Sequence, residues 1–250
     1  MATREHAGSM DAREYSVSSS RLGDAFSVRA FFHKELPFAV PLQRIDSGVV
    51  FGGQRVTAFG MAYMDHHLTD RMQILYYKDD HEFVLRLVPE AANEELLLAR
   101  GLAPAPDLNG LLRQLNALIA KGRQEAAKPA AQWKFGWTQY DFLAIPDIAF
   151  NITAHYTGLE GQRFFAGAGP FRVSEAWQRT AFVLNERGAI VESEATVTTA
   201  VDSVAAPGMQ PHPKRFVFDK PFVVVLRHNE KRPPYFVLHV QHPELMKPFK

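Results

Sequence analysis

The first ninety residues alternate short apolar runs with polar breaks, a pattern that predicts β-strands. The run from Ala25 to Phe32 is apolar and aromatic, and two prolines between Leu36 and Pro41 interrupt the pattern after it. Further strands are predicted at residues 49–51, 55–64, 72–77 and 82–88. Asp79-Asp80-His81 separates the last two runs and suits a hairpin turn.

A helical pattern replaces the strand pattern in the middle of the chain. The Leu/Ala/Glu-rich run from Ala91 to Arg100 predicts a first helix. Asp107 is a suitable N-cap for a second helix. The apolar residues of that helix fall on one face: Leu108, Leu111, Leu112, Leu115, Leu118 and Ile119. Strands return at residues 142–150 and through most of 173–243. The order shows no βαβ alternation and no repeat, and it therefore predicts an α+β fold.

Residues 189–202 combine a strand pattern with a composition unlike that of a buried strand. Alternate positions are small or β-branched and uncharged: Ala189, Val191, Ser193, Ala195, Val197, Thr199 and Val201. The other set holds every charge of the tract: Ile190, Glu192, Glu194, Thr196, Thr198, Ala200 and Asp202. Successive strand residues face opposite sides of a sheet, so the pattern predicts that this tract can insert into a sheet with its uncharged face inward.

Energies favour this register over its neighbour. Burial of the three inward valines contributes roughly 1.5–3 kcal/mol each, before the entropy cost is subtracted. A one-residue slip turns Glu192 and Glu194 inward, at a cost of several kcal/mol for each unpaired carboxylate. The alternative is an ordinary strand that stays in a sheet. The flexible Gly188 and the proline-rich residues 205–213 instead favour an exposed loop over about 188–215.

Composition excludes several classes of protein. The 250 residues, 46% of them hydrophobic, are enough for a substantial core in one large domain or two modest ones. The 28 basic and 27 acidic residues predict neither a nucleic-acid partner nor an anionic membrane partner. Because cysteine is absent, disulfides, thiolate nucleophiles and cysteine-based zinc sites are excluded.

The N-terminal residues are polar and carry no apolar signal region. No run of residues approaches the length of a membrane span, which predicts a soluble chain. Residues 1–24 are rich in serine and are expected to be disordered. The cellular compartment and the oligomeric state stay open at this point.

Candidate catalytic chemistry is sparse. Nothing matches a nucleophile elbow, a Walker loop, an HExxH helix or an EF-hand, and no cofactor is predicted. The adjacent His66 and His67 are expected to diverge, and His239 and His242 are interpreted as surface residues, because a metal site needs further converging ligands. Asp79-Asp80 and Glu94-Glu95 are interpreted as a solvated turn and a solvated helix face. A hydrolase with paired carboxylates remains a distant alternative.

Several segments resemble the serpin family of protease inhibitors. Residues 185–189, Asn-Glu-Arg-Gly-Ala, resemble the serpin hinge, usually Asn-Glu-Glu-Gly-Thr, at the end of a central sheet strand. Residues 218–222, Phe-Asp-Lys-Pro-Phe, resemble the Pro-Phe strand after the reactive loop, and residues 236–243 resemble the closing strand. Upstream, residues 28–34 and 82–89 resemble two further strands of the family.

The resemblance covers about Phe26 to Pro243 and implies a suicide inhibitor without catalytic residues of its own. A target protease attacks the reactive loop, and the cut loop inserts into the central sheet, as is known of serpins. The usual spacing from the hinge places the scissile bond at Asp202-Ser203, with Met209-Gln210 as the alternative, and implies an Asp-directed target protease. The implied hinge and inserting face are Glu186, Gly188, Ala189, Val191, Ser193, Ala195 and Val197.

Other positions depart from the serpin pattern. The histidine expected near Gln178 is missing, Arg29 stands where an asparagine is usual, and Leu36 replaces a tryptophan. Val191 is bulkier than the alanine of a rapidly inserting hinge. The early part of the family's fold is also absent. These departures imply a second hypothesis, a non-inhibitory interaction or carrier protein. In either case the resemblance implies one serpin-like domain over residues 25–250.

Overall fold

The computed structural model describes residues 15–22, 25–32, 34–63, 65–91, 93–166, 169–190, 213–228 and 233–249. These residues form two compact units. The first contains the described residues within 15–35 and 150–183, together with Ile190. The second contains those within 36–149, 184–189 and 213–249.

Among the described residues, strands dominate both units and the helices lie in the second. The strands are β1 (Tyr15–Leu22), β2 (Ala25–Phe32), β3 (Glu35–Pro37), β4 (Gln43–Phe51), β5 (Gln54–Met61), β6 (Met72–Asp79), β7 (Glu82–Leu87), β8 (Glu95–Arg100), β9 (Phe142–Pro146), β10 (Ile148–His155), β11 (Arg163–Ala166), β12 (Gly169–Asn185), β13 (Gly188–Ile190), β14 (Arg215–Val217), β15 (Phe222–Arg227) and β16 (Phe236–Val240). The α-helices are α1 (His66–Thr69) and α2 (Leu108–Ala126), with 3₁₀-helices at Pro129–Lys134 and Pro243–Leu245.

The first unit is a sheet built around the long strand β12. β2 pairs with β1 in antiparallel fashion and with β12 in parallel, in the order β1-β2-β12. β10 and β11 also pair with β12. β1 lies within residues 1–24, for which the sequence predicted disorder. The apolar run from Ala25 to Phe32 forms β2, as predicted.

The second unit contains a four-stranded sheet and a five-stranded sheet. The four-stranded sheet has the order β14-β9-β5-β4, and the five-stranded sheet has the order β16-β15-β8-β7-β6. The turn predicted at Asp79 to His81 joins β6 to β7. Together with the strands of the first unit, these sheets and the few helices confirm the α+β class.

The helix predicted after Asp107 is confirmed. The Asp107 carboxylate accepts a hydrogen bond of 2.7 Å from the Gly110 N–H and caps α2. Leu111, Leu115 and Ile119 of α2 pack on one face of the five-stranded sheet. That face consists of Tyr76, Val84, Leu97, Ala99, Val223 and Val225.

The helix predicted for Ala91 to Arg100 is wrong, because Glu95–Arg100 form strand β8. β8 lies between β7 and β15, and all six of its residues are buried. A strand covered on both faces shows no polar alternation, so its apolar run cannot be distinguished from a helix by periodicity. Hydrogen bonding on both sides of the strand then outweighs the helix propensity of its leucines.

The prediction that Glu94-Glu95 form a solvated face is also wrong. Both side chains are buried. Glu95 lies opposite Arg227 on β15, and its carboxylate lies 2.6 Å from Arg227 Nε. The Glu94 carboxylate lies 2.9 Å from His228 Nδ1 and accepts a hydrogen bond of 2.8 Å from the Tyr235 hydroxyl. Buried carboxylates need such partners, which were invisible to the local pattern.

No helix within the described ranges is both long enough and apolar enough to cross a membrane.

Candidate functional site

A tight turn between β12 and β13 lies where the sequence predicts the start of the loop. β12 ends at Asn185, and β13 begins at Gly188, so only two residues connect them. Asn185 Oδ1 accepts a hydrogen bond of 2.9 Å from the Arg187 N–H, which is the arrangement that asparagine uses to stabilise a turn. A two-residue connection joins antiparallel strands. β13 therefore runs back along the end of β12, and β3 flanks its other side.

Backbone hydrogen bonds hold this turn from the segment that follows β3. The Phe38 N–H donates to the Arg187 carbonyl at 2.7 Å, and the Leu42 N–H donates to the Glu186 carbonyl at the same distance. Both carbonyls belong to the turn itself. The turn is therefore fixed by main-chain contacts that any side chain at these positions permits.

Gly188 lies next to the turn at a position where the backbone and its neighbours favour glycine over every other residue type. Its φ of +131° lies in the region that side chains disfavour. A Cβ there would lie 2.2 Å from the Leu36 carbonyl oxygen and 2.8 Å from the Cα of Pro37. Glycine thus allows β13 to approach β3, and the following Ala189 is 1% exposed.

An ion-pair network connects the turn to the four-stranded sheet. Arg44 on β4 contacts the Glu186 carboxylate at 2.8 Å and the Asp147 carboxylate at 2.5 Å. The Thr57 hydroxyl donates to the same Asp147 oxygen at 2.7 Å. The Arg44 guanidinium therefore pairs with two carboxylates at once. The Arg44 side chain is 44% exposed.

A buried ion pair lies where the sequence predicts the end of the loop. Lys214 Nζ lies 2.8 Å from Asp141 Oδ2, and these side chains are 2% and 1% exposed. The Lys214 N–H donates to Asp141 Oδ1 at 2.8 Å, and the Thr138 N–H donates to Oδ2 at 2.9 Å. β14 then pairs in parallel with β9, which starts next to Asp141.

Aromatic rings surround Phe216 directly after this ion pair. The Phe216 ring centroid lies 5.0 Å from Phe83, 5.0 Å from Trp137 and 5.5 Å from Tyr77. The Tyr77 hydroxyl donates to Asp80 at 2.6 Å. Burial, together with that hydrogen bond, raises the pKa of Tyr77 well above its ordinary value. Lys214, Asp141 and this ring cluster form what we call the C-terminal anchor.

The described part of the predicted site is brought together at the turn. Glu186, Gly188 and Ala189 lie there, next to Arg44. The remaining predicted positions lie outside the described residues: Val191, Ser193, Ala195, Val197, Asp202, Ser203, Met209 and Gln210. Their roles stay predictions.

The sequence did not reveal the partners of the two loop ends. Arg44, Asp147 and Asp141 are far from the loop in the chain, and no spacing rule connects them to it. The one hint in the sequence was Lys214, a charged residue close to the apolar run that starts at Phe216. A lysine that is buried at such a position needs a carboxylate partner.

The histidines do not assemble a metal centre in the part of the chain that the structure describes. No group of three or more His, Cys, Asp or Glu residues there is arranged to hold a metal ion. His66 and His67 are exposed at the start of α1. Burial lowers the pKa of His239 on β16.

Comparison with known proteins identifies a family pattern in the second half of the chain. Residues 147–243 match the family "Serpin (serine protease inhibitor)". This segment contains β12, the turn and β14 to β16. No curated protein matches the chain.

Several solved structures are similar to the chain. A serpin from the trematode Schistosoma haematobium has 12% sequence identity and a TM-score of 0.52, covering 88% of this chain and 56% of that one. Human thyroxine-binding globulin complexed with thyroxine has 12% identity and a TM-score of 0.49, covering 90% and 58%. Serpin-12 of Manduca sexta has 17% identity and a TM-score of 0.48, covering 89% and 57%.

The resemblance predicted from the hinge and Pro-Phe segments is therefore confirmed. The family match includes both segments, and the trematode structure supports the fold. The chain spans a little over half the length of the solved structures that it matches. A divergent serpin-like fold fits this chain, and residues 147–243 carry the serpin family pattern.

Proposed function

We propose that this chain is a serpin-like protease inhibitor that acts by cleavage of its loop and insertion of the cut loop into the central sheet. It performs no chemistry of its own beyond offering a scissile bond. The protease forms the acyl bond, and the inserting strand traps that protease. The position of β13 is the observation that carries the proposal.

In this proposal β13 is the first part of an insertion path. β13 is hydrogen-bonded to β12 and to β3, and β2 is hydrogen-bonded to an earlier part of β12. There β2 and β12 pair directly and in parallel, from Ala25 opposite Arg172 to Ala30 opposite Gln178. In this proposal the cut loop lengthens β13 along β12 and displaces β2 from that strand.

The length of β12 supports this path. Asn185 and Gly188 flank the two-residue turn, so each further residue of the loop pairs one residue earlier on β12. On this register Asp202 comes opposite Phe171. β12 begins at Gly169, so the tract up to the proposed scissile bond has the length that the strand can accommodate.

The burial pattern of β12 supports the same register. Directly opposed residues of an antiparallel pair share a face. Val191 comes opposite Phe182, which is 0% exposed, and Val197 comes opposite Ala176, which is 7% exposed. Ala189, the first member of the uncharged set, is itself buried. On this register Val191 and Val197 come opposite buried residues of β12, whereas Thr199 and Val201 come opposite the exposed Ser174 and Arg172.

Loop cleavage tests the proposal by its effect on stability. Insertion of the cut loop should raise the melting temperature by roughly 10 °C or more, because burial of the inner valines contributes several kcal/mol. Val197→Glu places a carboxylate on the inner face and should remove the rise. Thr198→Glu places the same group on the outer face and should keep it.

Inhibition is tested separately by incubation with Asp-directed and broad-specificity serine proteases. A covalent complex that survives SDS electrophoresis is expected, and the mass of the released peptide distinguishes cleavage at Asp202-Ser203 from cleavage at Met209-Gln210. Clean cleavage with full recovery of protease activity would reject inhibition.

A non-inhibitory interaction or carrier protein is the second candidate. The direct pairing of β2 with β12 favours it, because insertion must first separate this ladder. Arg44 also ties Glu186 to Asp147 and restrains the turn. This candidate predicts an unchanged melting temperature after loop cleavage, in the wild-type chain and in both glutamate variants.

A further inference from the structure

Two arginines lie directly opposite each other on β11 and β12. These strands pair in antiparallel fashion, with Arg163 opposite Arg172. Directly opposed residues share a face of the sheet, and their Cβ atoms lie roughly 4.5–5.5 Å apart. Both arginines are exposed. Two like charges in this position repel each other, so the arrangement destabilises the sheet unless an anion neutralises it.

No group within the described ranges neutralises these two charges. Neither guanidinium has an ion pair, a hydrogen bond or a ring contact there. The carboxylates of the same region are engaged elsewhere. Glu160, in the turn before β11, accepts a hydrogen bond of 3.3 Å from the Ala176 N–H, and Glu175 on β12 has an interaction of its own. Arg163 and Arg172 are therefore available to an anion on a partner.

An exposed aromatic ring lies beside the two arginines. Phe165 is 84% exposed. It follows Arg163 by two positions on β11, so the two residues share a face of the sheet. A ring so exposed leaves apolar area that a second aromatic ring can cover. We call Arg163, Phe165 and Arg172 the arginine face.

Two opposed guanidiniums favour a group with more than one negative charge. A carboxylate carries a single charge, whereas a phosphomonoester carries about 1.5–2 charges at pH 7 and offers three acceptor oxygens. Guanidinium groups match phosphate oxygens because they donate two parallel hydrogen bonds. The adjacent phenyl ring of Phe165 favours a phosphate that is carried by an aromatic ring.

A single-stranded nucleic acid fits this face less well. Its phosphodiesters carry one charge each, and its binding sites follow the backbone with a row of cations. Arg179 is the next arginine along β12, and its Nε donates to Asn151 Oδ1 at 2.8 Å. Among the described residues of β11 and β12, the open arginines thus form one pair, which suits one concentrated charge.

We propose that the arginine face binds a phosphotyrosine side chain of a partner protein. The phosphate pairs with Arg163 and Arg172 together, and the phenol ring packs against Phe165. All three residues belong to the first unit. The site does not depend on loop insertion, and it exists whether or not the chain inhibits a protease.

Calorimetric titration with short peptides tests the proposal. The peptides share one uncharged sequence and differ at a central phosphotyrosine, tyrosine or phosphoserine. The phosphotyrosine peptide should bind the wild-type protein at least tenfold more tightly than the tyrosine peptide. It should also bind about threefold more tightly than the phosphoserine peptide, which lacks the ring. Absence of phosphotyrosine binding, or an affinity equal to that of either other peptide, overturns the proposal.

Variants of the arginine face test whether binding occurs there. Arg163→Gln and Arg172→Gln should each weaken the phosphotyrosine peptide about tenfold without lowering the melting temperature, because each removes a repulsion. Phe165→Ser should weaken it about threefold and leave the phosphoserine peptide unchanged. Arg113→Gln alters an exposed arginine of α2 and is the matched control, with wild-type affinity retained.

Unchanged affinity in both arginine variants overturns the assignment of the site. An oligothymidine that binds more tightly than the phosphotyrosine peptide, and is lost in the same variants, overturns the choice of partner and assigns the face to nucleic acid.

Discussion

At the turn between β12 and β13, the Glu186 carboxylate pairs with an arginine whose side chain is 44% exposed, whereas at the C-terminal anchor Lys214 and Asp141 are 2% and 1% exposed. Exposed ion pairs contribute about 0–1 kcal/mol because water solvates the separated charges nearly as well. A buried pair is different, since loss of one partner leaves an unsolvated charge. The comparison indicates that the ion pair before β14 matters more for stability than the ion pair at the turn between β12 and β13.

The largest expected effect comes from breaking the anchor. Lys214→Ala leaves Asp141 buried without its cation and should lower the free energy of unfolding by about 3–5 kcal/mol, measured by urea denaturation. Lys220→Ala removes an exposed lysine near the same strand and should change it by less than about 0.5 kcal/mol. Similar losses for the two variants would contradict the assignment of Lys214 as the main anchor.

The second effect tests the backbone of the hinge. Gly188→Ala should destabilise the protein by about 2–4 kcal/mol, because it adds a clash with the Leu36 carbonyl to the strain of a positive φ. Gly53→Ala has a positive φ but no atom within 4 Å of the new Cβ, so it should cost only about 1–2 kcal/mol. If the two variants lose equal stability, the close approach of β13 to β3 is not what requires glycine.

A smaller, pH-dependent effect is expected from Tyr77 in the anchor. Its raised pKa means that the folded state holds the phenolic proton more tightly than the unfolded chain, where tyrosine titrates near 10. The resulting stability is present below about pH 10 and is lost as the pH rises towards the folded pKa. Tyr77→Phe should cost about 1–2 kcal/mol at neutral pH and reduce this alkaline loss.

Urea denaturation of the wild-type protein and both tyrosine variants between about pH 9 and 12 measures the effect. Tyr140→Phe alters an exposed tyrosine and serves as the control, with the wild-type pH dependence retained. An alkaline loss that Tyr77→Phe leaves unchanged would show that another group causes it.

The smallest expected effect is at the hinge ion pair. Glu186→Gln removes one of the two carboxylates on Arg44 but leaves the contact with Asp147, so unfolding should become easier by only about 0.5–1 kcal/mol. Exposed Glu244→Gln is the control for loss of a surface charge and should be near neutral. A cost for Glu186→Gln comparable to that of Lys214→Ala would remove the contrast between the two loop ends.

The sequence correctly predicted elements whose apolar residues recur with a clear period. Helix α2 was recognised because its leucines recur on one face and Asp107 precedes them. β8 was missed because Leu96, Leu97 and Leu98 are all buried and carry no alternation. The identity of such a strand depends on its neighbours in the sheet, which a local pattern does not contain.

The candidate site was predictable to a similar, partial extent. Glu186 and Gly188 were predicted as site residues because they belong to a short contiguous segment, residues 185–189, that resembles the serpin hinge. Arg44 and Asp141 were not predictable, because what matters for them is distance in space rather than spacing in sequence. The functional assignment of residues 191–203 depends on the alternation of their side chains and remains a prediction.

The position of β15 inside the five-stranded sheet determines how a chain that has been cut once between β13 and β14 behaves. β15 pairs with β8 on one side and β16 on the other, and its six residues are all buried. The shorter piece of a nicked molecule would contain this strand and would stay associated as a tightly held second polypeptide. Nicked and intact protein would then elute together in gel filtration and separate only in denaturant.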